Sequence, residues 1–146
     1  MPGVLSLLEE ISKFPLEKRP SIAIASRNLV HPMIKASDFP NLRILGYVED
    51  PRPLYRSAKL SLVPAFHVSG TKNQILQSWA VGTPVVSTKQ SALSVQAEDK
   101  VNVLVGNDPL DLAAVTMMAL GDDEMRLLIA RMEVRSFKKN ILGIKR

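Results

Sequence analysis

Apolar and polar residues follow two alternating patterns along this chain, and the alternation predicts strands and helices in turn. Short apolar runs bounded by proline, glycine or polar residues are typical of strands that are buried on both faces. Such runs occupy residues 21–26, 42–45, 59–63, 84–87 and 101–105. Apolar residues at helical spacing predict helices over residues 4–11, 32–37, 51–57, 71–81, 91–95, 109–120 and 122–137.

This alternation also predicts the fold class. Parallel strands need long crossover connections, and helical crossovers cover both faces of the sheet that they connect. We therefore expect an α/β protein with a doubly wound parallel sheet. No repeat, low-complexity stretch or linker divides the sequence, which indicates one unit over residues 1–146.

Helix boundaries and one large side chain fit this interpretation. Asp108 stands at an N-cap position, and Pro109 follows it at the first helical position. Gly82 is placed to end the helix over residues 71–81. Trp79 lies on the apolar stripe of that helix, so we expect it in the core rather than against a ligand.

The composition excludes several classes of protein. The 146 residues are 46% hydrophobic and 23% charged, which is typical of a soluble globular protein. The absence of cysteine excludes disulfides and thiolate metal sites, and the first residues do not resemble a signal peptide. No apolar run approaches the roughly 20 residues of a membrane-spanning helix. We expect a cytoplasmic protein without a transmembrane segment.

The net charge of +5 is compatible with an anionic ligand. Many basic residues follow residue 125, where a solvated helix face explains them without a partner. No aromatic residues alternate with them as platforms for stacked bases, so we expect no nucleic acid partner. The two histidines, His31 and His67, have no neighbours spaced for a catalytic triad or a metal cluster. His67 precedes Gly70 closely enough to reach a phosphate there, although a solvated loop histidine is the simpler interpretation.

A candidate anion site joins a predicted strand to a predicted helix. It consists of Ser69, Gly70, Thr71 and Lys72. Open parallel sheets bind ligands beyond the carboxyl ends of their strands, where a helix N-terminus offers free N–H groups and a positive dipole. The glycine permits close approach, the threonine adds a hydroxyl, and the lysine adds a full charge. The combination favours a phosphate or diphosphate, although Ser-Gly-Thr before a helix is also an ordinary capping arrangement.

The longer segment over residues 70–88 carries a family pattern. It reads Gly-Thr-Lys-Asn-Gln-Ile-Leu-Gln-Ser-Trp-Ala-Val-Gly-Thr-Pro-Val-Val-Ser-Thr. This resembles the C-terminal domain of group 1 glycosyltransferases with the GT-B architecture, which commonly carry Gly-x-Lys-x-x-x-Leu-Glu-Ala-x-Ala-x-Gly-x-Pro-Val-Val. Other segments that resemble this domain are residues 45–50, 53–55, 103–105 and 108–109. The likeness covers about residues 20–137.

The resemblance implies a Rossmann-like donor-binding domain that is a fragment of a two-domain glycosyltransferase. Such an enzyme transfers a sugar from a nucleotide-sugar donor, of the UDP or GDP type, to an acceptor bound by a separate N-terminal domain. The matching positions imply a diphosphate site at Ser69, Gly70, Thr71 and Lys72. They imply a base and ribose site at Gly46, Tyr47, Val48 and Gln77.

The resemblance also has consequences for chemistry and location. It implies no metal and no cofactor, because the protein itself neutralises the diphosphate. The acceptor would be a glycan or a lipid-linked saccharide, as in polysaccharide biosynthesis, and the full-length enzyme would be cytoplasmic or peripheral at the membrane. We expect this chain to be inactive without the acceptor domain, and the sequence identifies no catalytic residue.

Several positions depart from the family pattern. Gln77 stands where the family usually has a ribose-binding glutamate, and Ser69 stands where many members carry an acidic residue. A neutral acceptor loses the charge-assisted part of the hydrogen bond, on the order of 1 kcal/mol or more. The first strand of the family domain would lie upstream of Met1, so we expect a sheet that lacks it and leaves an open edge.

These departures keep a second hypothesis open. A non-catalytic interaction domain would retain the fold with a degenerate donor site, and its open sheet edge would pair in a homodimer or with a partner chain. A dinucleotide-binding domain is disfavoured, because no Gly-x-Gly-x-x-Gly follows a strand in this sequence.

Overall fold

Helices and strands alternate along the chain as the sequence predicts. The structure is a computed structural model that describes residues 2–25, 34–66 and 73–141. Its strands are β1 (Ile22–Ala25), β2 (Leu42–Gly46), β3 (Ser61–Val63), β4 (Val85–Thr88) and β5 (Leu104–Gly106). Its helices are α1 (Pro2–Ile11), α2 (Arg52–Ser57), α3 (Asn73–Val81), α4 (Lys89–Ser94), α5 (Pro109–Leu120) and α6 (Asp123–Ile141).

The strands form two parallel ladders rather than one continuous sheet across the described residues. β1 pairs with β2, with Ile22 opposite Leu42, and β4 lies between β3 and β5. Every pairing is parallel, which confirms the predicted α/β class. No described ladder joins β1 to β3, so each of these strands has an edge without a strand partner in the part of the chain that the structure describes.

Helix α1 packs against both ladders. Its residues Leu7 and Ile11 belong to a core cluster with Val86 of β4. Leu8, on the same helix, packs with Leu42 of β2 in a second cluster. Ile22 of β1 contacts both clusters, so the two ladders share one apolar layer beneath α1.

A third cluster fixes α3 against the three-stranded ladder. Trp79 is fully buried in it, and its indole N–H donates to the backbone oxygen of Asn102 at 3.1 Å. Phe137 of α6 packs against the same cluster, so α3 lies between the strands and α6. The prediction that Trp79 belongs to the core is confirmed.

Several predicted element boundaries differ from the structure by a few residues, among them the start of β5 and the helix over residues 32–37. β5 begins at Leu104, because a turn occupies the residues that were predicted to open the strand. In that turn the Lys100 N–H donates to the Val103 oxygen at 2.7 Å, and Asn102 Oδ1 accepts the Glu98 N–H at 2.8 Å. Such local bonds compete with a strand ladder.

The second difference concerns the weak helix predicted over residues 32–37. The structure places a single 3-10 turn at Ala36–Asp38, and residues 32 and 33 lie outside the described part of the chain.

None of the helices in the described ranges is both long enough and apolar enough to span a bilayer.

Candidate functional site

The carboxyl ends of β3 and β4 lie at the same edge, because the two strands are parallel and in contact. The chain after β3 leads to α3, and the chain after β4 enters α4 directly. The predicted diphosphate residues fall within the connection from β3 to α3. Those residues, Ser69, Gly70, Thr71 and Lys72, lie outside the described part of the chain, as do His31 and His67.

The residues that follow β3, 64–66, form hydrogen bonds with the end of β4 and the start of α4. Thr88 ends β4 and is fully buried, and its hydroxyl donates to the backbone oxygen of Ala65. Ser91 of α4, also buried, donates to the same oxygen at 3.3 Å. Two buried hydroxyls therefore fix Ala65, a few residues before the predicted diphosphate site.

Residues 64–66 also pack closely against α1. A Cβ atom on Gly3 would lie 1.9 Å from the backbone oxygen of Pro64, so only glycine permits this approach. The sequence alone does not predict these contacts. The available signal was the polar pair Ser87 and Thr88 at the end of a strand that is otherwise apolar and buried.

The predicted base site begins where β2 ends. Gly46 has a φ of 72°, in the left-handed region that favours glycine, and it pairs with Ala25 after a register shift in the ladder. The left-handed conformation of Gly46 turns the chain away from β2. Of the two residues that follow, Tyr47 is 58% exposed and Val48 is half-buried. An exposed aromatic ring beside a strand end is a suitable surface for a planar base.

An ion pair fixes the start of the helix that follows. The carboxylate of Asp50 accepts the Arg52 N–H at 3.1 Å and binds the Arg52 guanidinium through two contacts of 2.9 Å. These hydrogen bonds hold the pKa of Asp50 below its usual value. Asp50 therefore binds the first residue of α2, and Pro51 occupies the N-cap position.

The predicted ribose residue, Gln77, is exposed on α3. Its Oε1 accepts a hydrogen bond from the Tyr55 hydroxyl of α2 at 3.3 Å. Tyr55 is half-buried, and this burial raises the pKa of its hydroxyl. The sequence alone predicts no role for Tyr55, because nothing along the chain relates it to a residue 22 positions away.

A buried carboxyl group lies at the opposite end of β4. Glu133 of α6 is fully buried, and its Oε1 accepts the N–H of Val85 at 2.8 Å. Burial raises the pKa of Glu133 to about 9. It stands at the amino end of β4, so we assign it to the packing of α6 rather than to the ligand edge. Among the described residues, no cluster of three or more potential ligands is arranged to hold a metal ion.

Comparison with known families decides the class of protein. The sequence pattern of the family described as "Glycosyl transferases group 1" matches residues 3–122. The chain belongs to the group 1 glycosyl transferases. No curated protein sequence matches it significantly.

A solved structure shows that the fold is that of a GT-B glycosyl transferase. The crystal structure of Anabaena Alr3699/HepE in complex with UDP superposes with a TM-score of 0.76 and 16% sequence identity. The superposition covers 94% of this chain and 40% of HepE, so this chain spans well under half the length of that protein. The family and the Rossmann-like fold that the sequence predicted are both confirmed.

Proposed function

We propose that this chain is the donor-binding domain of a group 1 glycosyl transferase and that it holds a nucleotide-sugar of the UDP or GDP type. The observation that carries the proposal is the pair of parallel strand ends, β3 and β4, with α3 beginning beyond them. Open parallel sheets bind ligands at this edge. HepE, which shares the fold, was crystallised with UDP.

Each part of the donor has a proposed set of partners. The diphosphate would bind Lys72 and the backbone at Ser69, Gly70 and Thr71, because a helix N-terminus and an ammonium group both favour negative charge. Gly46, Tyr47 and Val48 would border the base, and Gln77 would bind the ribose. This assignment uses neither a metal nor a cofactor.

Sugar transfer itself would require more than this chain. In this proposal a second, N-terminal domain binds the acceptor, a glycan or a lipid-linked saccharide, and completes the enzyme. The full-length protein would then work in the cytoplasm or at the membrane surface. A purified chain of these 146 residues that transferred sugar unaided would contradict this division of labour.

The direct test is calorimetric titration of the chain with UDP, GDP and ADP. We expect saturable binding that favours one base and is lost in Lys72→Ala. Lys13→Ala is the matched control, because Lys13 is exposed after α1 and pairs with Glu10 at 3.0 Å. Failure of all three nucleotides to bind at millimolar concentration would reject the donor site.

One observation favours the second candidate, an interaction domain. The outer strands of the two ladders, β2 and β5, each have an edge without a strand partner in the described part of the chain, and such edges pair readily with other strands. Light scattering over a range of protein concentrations tests this candidate. A mass that doubles on concentration supports a homodimer, and a constant monomer mass contradicts it.

A further inference from the structure

Tyr55 contacts the proposed donor site without belonging to it. It lies on α2, and its hydroxyl donates to Gln77 Oε1 on α3 across 3.3 Å. Nothing in the proposed function gives Tyr55 a role, although this contact ties it to the residue that would bind the ribose.

Tyr55 is itself held in place. The hydroxyl of Thr83 donates to the backbone oxygen of Tyr55 at 2.6 Å, and Thr83 is 3% exposed. Thr83 precedes β4 by two residues, so this bond anchors α2 to the three-stranded ladder. The Tyr55 ring is half-buried, and a tyrosine has few rotatable bonds. The position of the Tyr55 hydroxyl relative to Gln77 is therefore well defined.

Gln77, in contrast, needs an external restraint. Its side chain is long and exposed, and such side chains lose much rotamer freedom when a ligand orders them. The bond from Tyr55 occupies one lone pair of Oε1, and it leaves the second lone pair and both Nε2 hydrogens for a ligand.

We propose that Tyr55 is a positioning residue, which holds the Gln77 side chain in place for the ribose hydroxyls of the nucleotide. This inference rests on the proposed function, because it requires that Gln77 faces the ribose. A nucleotide with both hydroxyls then meets a pre-organised partner, whereas a nucleotide without them gains nothing from it. Tyr55 thus contributes to the preference for ribonucleotides without contacting the ligand.

The test compares UDP with 2′,3′-dideoxy-UDP by calorimetry. We expect the wild-type chain to prefer UDP by roughly 3- to 10-fold, the usual range for one net hydrogen bond. Tyr55→Phe should reduce this preference to within about 2-fold and leave the affinity for the dideoxy nucleotide unchanged. Ser57→Ala is the matched control, because it also removes a hydroxyl from α2. The Ser57 hydroxyl donates to the backbone oxygen of Leu54 at 2.9 Å, and this variant should keep the wild-type preference for UDP.

A second variant separates positioning from stability. Gln77→Met removes the amide, so adding Tyr55→Phe to it should not change the nucleotide preference further. A Tyr55→Phe protein with a wild-type preference would overturn the positioning role and leave the donor site standing, even if its melting temperature fell. A wild-type chain that does not bind UDP at all would overturn the donor site and this inference together.

Discussion

Glu133 shows how strongly one side chain depends on its surroundings. It lies on the same helix as the exposed Glu124, yet it is fully buried and binds the backbone of Val85. Its second oxygen, Oε2, has no hydrogen-bond partner among the residues that the structure describes. Because desolvation raises its pKa to about 9, the folded chain keeps this carboxyl protonated at neutral pH.

This burial predicts a pH-dependent stability. Between the ordinary pKa of 4.5 and the raised value of about 9, the folded state binds a proton that the unfolded state does not. The free energy of unfolding should therefore fall as pH rises through this window, by at most about 1.4 kcal/mol per pH unit. Glu133→Gln mimics the protonated group and should flatten this slope in urea unfolding at pH 5, 7 and 9. Glu124→Gln should retain the slope, and an equal slope in Glu133→Gln would contradict the prediction.

Among the elements, α5 has a well-defined N-cap and packs closely against the end of β5. The Asp108 carboxylate accepts the Asp111 N–H at 2.8 Å, and Pro109 fills the first helical position. Gly106, at the end of β5, lies directly under this helix. A Cβ atom on Gly106 would be 2.5 Å from Cα of Leu112.

The close approach at Gly106 predicts a costly substitution. Gly106→Ala forces the Leu112 backbone to move, so we expect a loss of about 2 kcal/mol or more in the free energy of unfolding. Gly121→Ala is the control, because its added Cβ would meet no atom closer than 3.7 Å, and we expect a change within about 0.5 kcal/mol. Urea denaturation measures both. Equal stability of the two variants would show that the helix can shift freely.

The cap predicts a smaller and chemically specific effect. Asp108→Ala leaves the Asp111 N–H without its partner and should cost about 1 kcal/mol. Asp108→Asn keeps an oxygen that accepts this bond and should remain close to the wild type. Thermal unfolding of the two variants distinguishes them, and an equal loss in both would point to charge rather than to the hydrogen bond.

At the scale of the whole molecule, ligand binding and folding are linked. A ligand that binds only the folded chain stabilises it by about 1.4 kcal/mol at ten times its dissociation constant. For a chain of 146 residues this corresponds to a rise of about 4 °C in melting temperature. We expect this rise with UDP or GDP in a thermal unfolding assay. Lys72→Ala should show no rise, and a rise of equal size there would remove Lys72 from the donor site.

Most of the helices and strands, their order along the chain and the family are predictable from the sequence. Buried strands and amphipathic helices leave a periodic pattern, and the Asp108 cap, the Trp79 core position and the segment over residues 70–88 depend on neighbours in sequence. Local propensity and spacing carried the predictions of the elements, and the resemblance of residues 70–88 to a known family carried the prediction of the family. The roles of Ser69, Gly70, Thr71 and Lys72 remain predictions of the sequence.

Contacts between residues that lie far apart along the chain are visible in the folded structure and not in the sequence. The contact of Tyr55 with Gln77, the burial of Glu133 and the hold of Thr88 on Ala65 each join separate elements. The pairing of the strands into two ladders beneath α1 likewise depends on contacts between elements that lie far apart along the chain. The physical reason is that hydrogen bonds and desolvation depend on distance in space, and the crossover connections of a parallel sheet bring together residues that lie far apart along the chain.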